Sequence, residues 1–327
     1  MGHRYHPDVA LEVGRRLDEM VAAGRVGMPV EDSLQTRTLR YNESKRLTVH
    51  ALAHHYDDSR LDASFTSTLS TVTASENVLA FAVQSTAREC AINGAIIAVP
   101  PEVAASGSAC FARSSTDSAF ECVPAPPTCG TTVAEMRKVP GLQGPMDDAF
   151  MSPFLVVTPE SEGTGAVDEF IRFELNHLLE RWAGLFRGDP RVKKASELTA
   201  EDKESFNLIL FGTPASNSAV AEFFQTPDIP FAWDGAGQLS VAGKDYGGST
   251  APQLVFPSPF GSGKYVLLNS GTTFREGHDT TNSMQNAKLP DYVVVDYATA
   301  PPDELSPGAI VAAGFCDESW VPQAPMM

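Results

Sequence analysis

The sequence predicts a mixed fold, part α+β and part α/β. A small β-sandwich-like domain is followed by a three-layer α/β domain with a mostly parallel sheet. Three observations predict it. Between residues 30 and 123 short β-rich runs succeed one another closely, with Asn93-Gly94 as a hairpin-type turn. Asn207–Gln225 reads as strand, tight loop and helix: Leu208–Phe211 is apolar, Gly212 and Pro214 break it, and Ser216 or Asn217 can cap the helix after them. Tyr265–Asn269 and Tyr292–Asp296 are continuous apolar runs, the pattern of strands covered on both faces. The implied division is a helical segment at 1–29, the sandwich at 30–139 and the α/β domain at 140–327.

In chain order, Pro7 opens a helix that Gly24 ends, with Val9, Val13, Leu17, Met20 and Val21 as its apolar stripe. Gly27–Pro29 is a linker. Gln35–Tyr41 alternates like a strand, and Leu47–Leu52 suits a strand or a short helix. Leu61–Thr73 is rich in Ser, Thr and Ala; Val78–Val83, Ala95–Val99, Ala109–Ala112 and Phe120–Val123 are strand-like. Pro124–Pro127 leads out of this block. Phe154–Val157 is a strand, Ala166–Phe186 a long helix stopped by Gly188-Asp-Pro190, and the acidic run Glu197–Glu204 a short cap or turn. Ser218–Gln225 is a helix with Val220, Phe223 and Phe224 inward, and Gln253–Phe256 is one more short apolar run.

The 327 residues carry 41 acidic and 24 basic side chains, a net charge of −17. That balance argues against a nucleic-acid partner and against docking on an anionic membrane. No run approaches the roughly 20 apolar residues of a membrane span, and the opening Met1–His6 is too polar for a signal peptide. None of Cys90, Cys110, Cys122, Cys129 and Cys316 forms a C-x-x-C pair. Cys110 and Cys122 flank a candidate hairpin, so a cross-strand disulfide and free thiols are both open readings.

Gly261-Ser-Gly-Lys264 fails as a phosphate loop, because Ser258 replaces its first glycine and Tyr265 the magnesium-binding hydroxyl. No dinucleotide fingerprint comes after Gly212, and no G-x-S-x-G elbow occurs. No cofactor is expected. His50, His54 and His55 with Asp57 and Asp58 are the densest ligand-type cluster, but they match no metal motif and no metal site is assigned. Asp147, Asp148 and Asp296 are carboxylates near strand ends. The preferred ligand crevice lies at the carboxyl ends of two strands, where Gly212, Asn217, Asn269, Ser270 and Arg275 would converge on a small anion or carboxylate. The alternative is that Asn269 and Arg275 merely brace the loop.

Strings spread over nearly the whole chain resemble the C-terminal half of large, exported, prolyl-oligopeptidase-like α/β-hydrolases of bacteria. The most specific are Gly144-Pro-Met-Asp-Asp-Ala-Phe150 and Asn269-Ser-Gly-Thr-Thr-Phe-Arg-Glu276; Gly2-His-Arg-Tyr-His6, Thr38–Tyr41 and Ala313–Glu318 belong to the same set. The resemblance implies that His3 is the triad histidine of a hydrolase domain whose serine and acid lie before it, outside this sequence. It further implies that the 7–23 helix is the last helix of that domain, that an upstream α/β-hydrolase domain is a partner, and that the full-length relative is secreted or periplasmic. The rival expectation is a stand-alone small-ligand or glycan-binding protein; a third is a complete enzyme using the 269–275 loop.

Overall fold

The computed structural model describes residues 6–24, 27–124, 129, 136–236, 238–271, 290–299 and 309–325. The fold is mixed α/β, and the chain divides into two compact units. Unit 1 comprises Met1–Arg37, Tyr41–Ala53 and Asp57–Thr131; unit 2 comprises Thr38–Arg40, His54–Tyr56 and Thr132–Met327. The expected boundaries at 29/30 and 139/140 are not where the chain divides. The first helix groups with the β strands after it, and two short pieces of the expected sandwich group with the second unit.

Unit 1 begins with α1 (Pro7–Ala23), started by Pro7 and ended by Gly24 at φ +71°. Two sheets make up the rest. The first is ordered β1 (Glu31–Thr36), β3 (Ser59–Phe65), β4 (Leu69–Ala74), β6 (Glu89–Ile92) and β7 (Ala95–Ala98). The second is ordered β2 (Leu47–Leu52), β5 (Val78–Gln84), β8 (Ser108–Ala112) and β9 (Glu121–Val123), with α2 (Pro101–Ser106) leading into β8. Within this unit β4–β6 is the parallel pair and the other strand pairs are antiparallel. Alternation along β3 and β4 turns Leu61, Ala63, Phe65, Val72 and Ala74 inward and leaves Arg60 and Thr71 in solvent. Asn93-Gly94 makes the β6–β7 hairpin, as its type I′ preference predicts. The strand expected over Gln35–Tyr41 stops at Thr36, and Leu39–Tyr41 is a 3₁₀ turn.

Unit 2 is built on a seven-stranded sheet. Its order is β11 (Val192–Lys194), β10 (Phe154–Thr158), β12 (Asn207–Leu210), β17 (Tyr265–Leu268), β16 (Thr250–Pro257), β18 (Tyr292–Asp296) and β19 (Ala309–Gly314). The first three pairings are parallel and the last three antiparallel. The expectation of a mostly parallel sheet is therefore corrected. The causes are β16, which runs antiparallel between β17 and β18, and β19, which runs antiparallel to β18; apolar runs give no hint of direction. Strands β12, β16, β17 and β18 are buried at consecutive positions, so both sheet faces are covered.

Parity along β16 shows what covers them. Gln253 bonds Glu174 of α3 (Ala166–Phe186), whereas Phe256, three residues on and facing oppositely, meets Phe223 of α5 (Ser218–Gln225) and Phe231 of β13 (Phe231–Trp233). Strands β13, β14 (Leu239–Val241) and β15 (Lys244–Tyr246) form a small antiparallel sheet that the sequence pattern did not announce. Helix α4 (Ala200–Ser205) occupies the acidic run and is held by a Thr199–Asp202 capping box. No helix among the described residues is long and apolar enough to cross a membrane.

Candidate functional site

At the carboxyl edge of the parallel strands, the loops after β12 and β17 meet. Gly212 N donates to Asn269 Oδ1 at 2.9 Å, and Asn269 Nδ2 returns a bond to Gly212 O at 3.2 Å. Asn217 caps α5 by accepting from Ala219 N and Val220 N, and its Nδ2 donates to Phe211 O at 2.8 Å. Asn269 O accepts from Gln253 Nε2, and Ser270 is buried beside it. The structure thus brings Gly212, Asn217, Asn269 and Ser270 together on one edge. Asn217 and Asn269 use their amides on the backbone and, like Ser270, have no exposed surface, so they brace the loops. Gly212 is required: its φ is +141° and a β-carbon would lie 2.6 Å from that of Asn217. Arg275 and His3 lie outside the described residues.

The sheet's own topology marks a different place on that edge. From β10 the chain crosses through α3 to β11 on one side, then returns through α4 to β12 on the other. Strand order therefore reverses at the carboxyl end of β10, the position where open α/β sheets leave a crevice. A cleft of about 340 Å³ lies there, lined among others by Thr158, Glu160, Asp168, Arg172, Asn176 and Lys194. The amino end of α3 in this cleft is already served by its own carboxylate, since Asp168 Oδ2 accepts from Gly165 N at 3.0 Å. Arg172 donates to Gly163 O at 2.9 Å, and Glu160 accepts from Ser218 Oγ at 2.5 Å. The lining carries both signs of charge, which suits a small polar ligand better than a bare anion. Sequence reasoning missed it because strand order is invisible in a run of apolar residues.

The opposite edge holds a buried polar cluster. Asp148, read from sequence only as a carboxylate near a strand end, pairs with Arg40 and accepts from Gln143 Nε2 and the Tyr265 hydroxyl, both at 2.7 Å. Lys138 Nζ lies 2.8 Å from Asp291 Oδ2, and neither side chain has exposed surface. Burial pushes the Asp291 carboxyl up, against the pull of the Lys138 ammonium. Burial likewise raises Asp147. His55 Nδ1 and Glu318 Oε1 are 2.6 Å apart, and Leu39 N lies 3.4 Å from His55 Nε2. That pattern fits a proton on Nδ1 donated to the glutamate. Asp147 Oδ1, Asp291 Oδ1 and Trp320 Nε1 are buried with no hydrogen bond to a described residue. The Lys138–Asp291 pair at its centre is sealed from solvent.

The histidine cluster of the sequence does not converge. His55 is spent on Glu318, Asp58 pairs with Arg37, and His50 sits on strand β2 where a helix face would have been needed. A second hollow, of about 480 Å³, is bordered by Phe224, Trp233, Tyr246, Asp234, Asp245 and Gln238. Comparison of the chain with protein-family models, with curated proteins and with solved structures finds no match.

Proposed function

We propose that this chain is the accessory region of a prolyl-oligopeptidase-like serine hydrolase, a sandwich-like β unit and a layered α/β unit without a complete catalytic apparatus of their own. The observation that carries this reading is α1. None of its residues is buried, and its stripe stands in solvent, with Met20 68% and Val21 80% exposed. An apolar stripe of that length is the face of a helix made to lie on something. The resemblance of the flanking strings names a hydrolase sheet as that surface, and an exported relative as its setting. The buried polar cluster agrees with a supporting role, because Asp148, Asp291 and Glu318 are paired with Arg40, Lys138 and His55.

A fluorophosphonate probe tests this in two arms. The chain alone should take up no label, since an oxyanion hole and an activated serine together supply many orders of magnitude in rate. The polypeptide that antibodies to this chain detect in its source cells should be longer than 327 residues and should be labelled. Stoichiometric labelling of the chain alone, or an unlabelled antigen of 327 residues, overturns the reading.

The aromatic-edged hollow at Trp233 supports a second reading, a small-ligand or glycan-binding protein, because aromatic side chains beside Asp234, Asp245 and Gln238 are a lining that suits a sugar. Saturable quenching of tryptophan fluorescence by an oligosaccharide, lost in Trp233→Phe, would favour it.

A further inference from the structure

Unit 1 contains a donor set that neither the hydrolase nor the glycan reading uses. Along β2 the register runs Val49 opposite Phe81, then Ala51 opposite Ala80, so His50 is the extra residue of a bulge. Bulges re-aim a side chain, and this one is aimed at sulfur. Thr48, Ala82 and Cys110 form one cross-strand row on β2, β5 and β8. Cys129 comes to the same place, its Sγ 3.5 Å from Phe81 O. One imidazole nitrogen and the sulfurs of Cys110 and Cys129 all lie within 4.8 Å of one another. In this structure the two sulfurs are joined as a disulfide, with Cα atoms 5.4 Å apart. The expected alternative partner, Cys122, stands opposite Phe111 while Cys110 stands opposite Val123. One residue of register places the two cysteines on opposite sheet faces, which rules out that bridge.

A disulfide accounts for two cysteines but not for a half-buried imidazole brought to them by a bulge. We propose that, when the Cys110–Cys129 bond is open, His50, Cys110 and Cys129 bind one thiophilic cation, with Zn²⁺ the best fit. Two thiolates and one imidazole are borderline-soft ligands in the number that zinc accepts, with a fourth position left for water. The donor set contains no carboxylate, so Ca²⁺ and Mg²⁺ are not served. The chemistry balances. A phosphine reduces the disulfide, taking oxygen from water to become its oxide and leaving two thiols. The cation then displaces the two thiol protons. Disulfide and metal compete for the same two sulfurs, so the protein holds one or the other.

The test uses the full chain, reduced anaerobically with a phosphine and freed of it, then titrated with Co²⁺ as a spectroscopic stand-in for Zn²⁺. One equivalent should bind, with a sulfur-to-cobalt charge-transfer band that Zn²⁺ then bleaches, while the oxidised chain should show none. His50→Ala should weaken binding by at least about 10–100-fold, the range that even outer partners of a metal produce. Its fold is checked in the disulfide-bonded form. Cys90→Ser and Cys122→Ser should bind as the parent does. Absence of the band in the reduced chain, equal affinity in His50→Ala, or loss of binding in Cys122→Ser overturns the proposal. So does a bridge that cannot be opened without unfolding the protein.

Discussion

Asp202 shows how one carboxylate can hold a local structure. It accepts from Thr199 N, Thr199 Oγ1 and Lys193 Nζ, all within 2.9 Å, and these contacts, the Lys193 bond first, lower its pKa from 3.8 to about 2. A depressed pKa means that the ionised form contributes stability above the ordinary value, lost as pH falls through the depressed one. Asp202→Asn should therefore cost about 1–2 kcal/mol at neutral pH. The gap between variant and parent in urea denaturation should close as pH drops from about 4 to about 2. Lys138 makes the opposite case. Removing it as Lys138→Met strips Asp291 of its countercharge in the interior, a loss of about 3–5 kcal/mol. Lys138→Met with Asp291→Leu should recover much of that, and chemical denaturation of the three proteins decides it. Gly144 belongs to the same neighbourhood: at φ +73° a β-carbon there would overlap the Asp291 carboxylate, so Gly144→Ala should destabilise too.

Among the described helices, α1 is the one with no buried residue. With no residue buried, it is held among the described residues by its own hydrogen bonds, the His6 contact to Asp8 and the Glu12–Arg15–Arg16–Glu19 ion pairs. Exposed pairs of this kind are screened by solvent and hold a helix only weakly. Amide exchange of Val13–Val21 should be fast; strong protection in a monomer would mean that the stripe has found cover. This helix was legible in the sequence because its Pro start, Gly stop and helical spacing are all local. So were α3, α5, β17 and β18, whose length and apolar continuity carry the signal. What stayed hidden was relational. Nothing in Thr250–Pro257 states that it runs against its neighbours, and the three-residue strands of the small β13–β15 sheet are too short to show a period. At the candidate site, the meeting of Gly212 with Asn269 was implied by two loops at strand ends. The engagement of both asparagine amides with backbone was not, because it depends on hydrogen-bond partners far apart in sequence.

For the molecule as a whole, the covalent link to weigh is Cys110–Cys129, 19 residues apart. Opening a loop of that size releases unfolded-chain entropy worth about 3 kcal/mol. Reduction should lower the stability of unit 1 by about that amount. Circular dichroism is the measurement, because Trp182, Trp233 and Trp320 all belong to unit 2 and leave fluorescence blind to unit 1. A midpoint in urea unchanged by the phosphine would refute the expectation.

The buried polar cluster of unit 2 has a consequence for biosynthesis. Its pairs join residues made far apart in time: Arg40 with Asp148 across 108 positions, Lys138 with Asp291 across 153, His55 with Glu318 across 263. At about 5–20 residues per second, the glutamate emerges after its histidine by roughly 13–50 s. Until then, the cations of the cluster stay hydrated and the strands they will seal stay open to chaperones and to other nascent chains. Slowing translation of the last pairing segment should lengthen that exposed interval, while speeding it should shorten the wait.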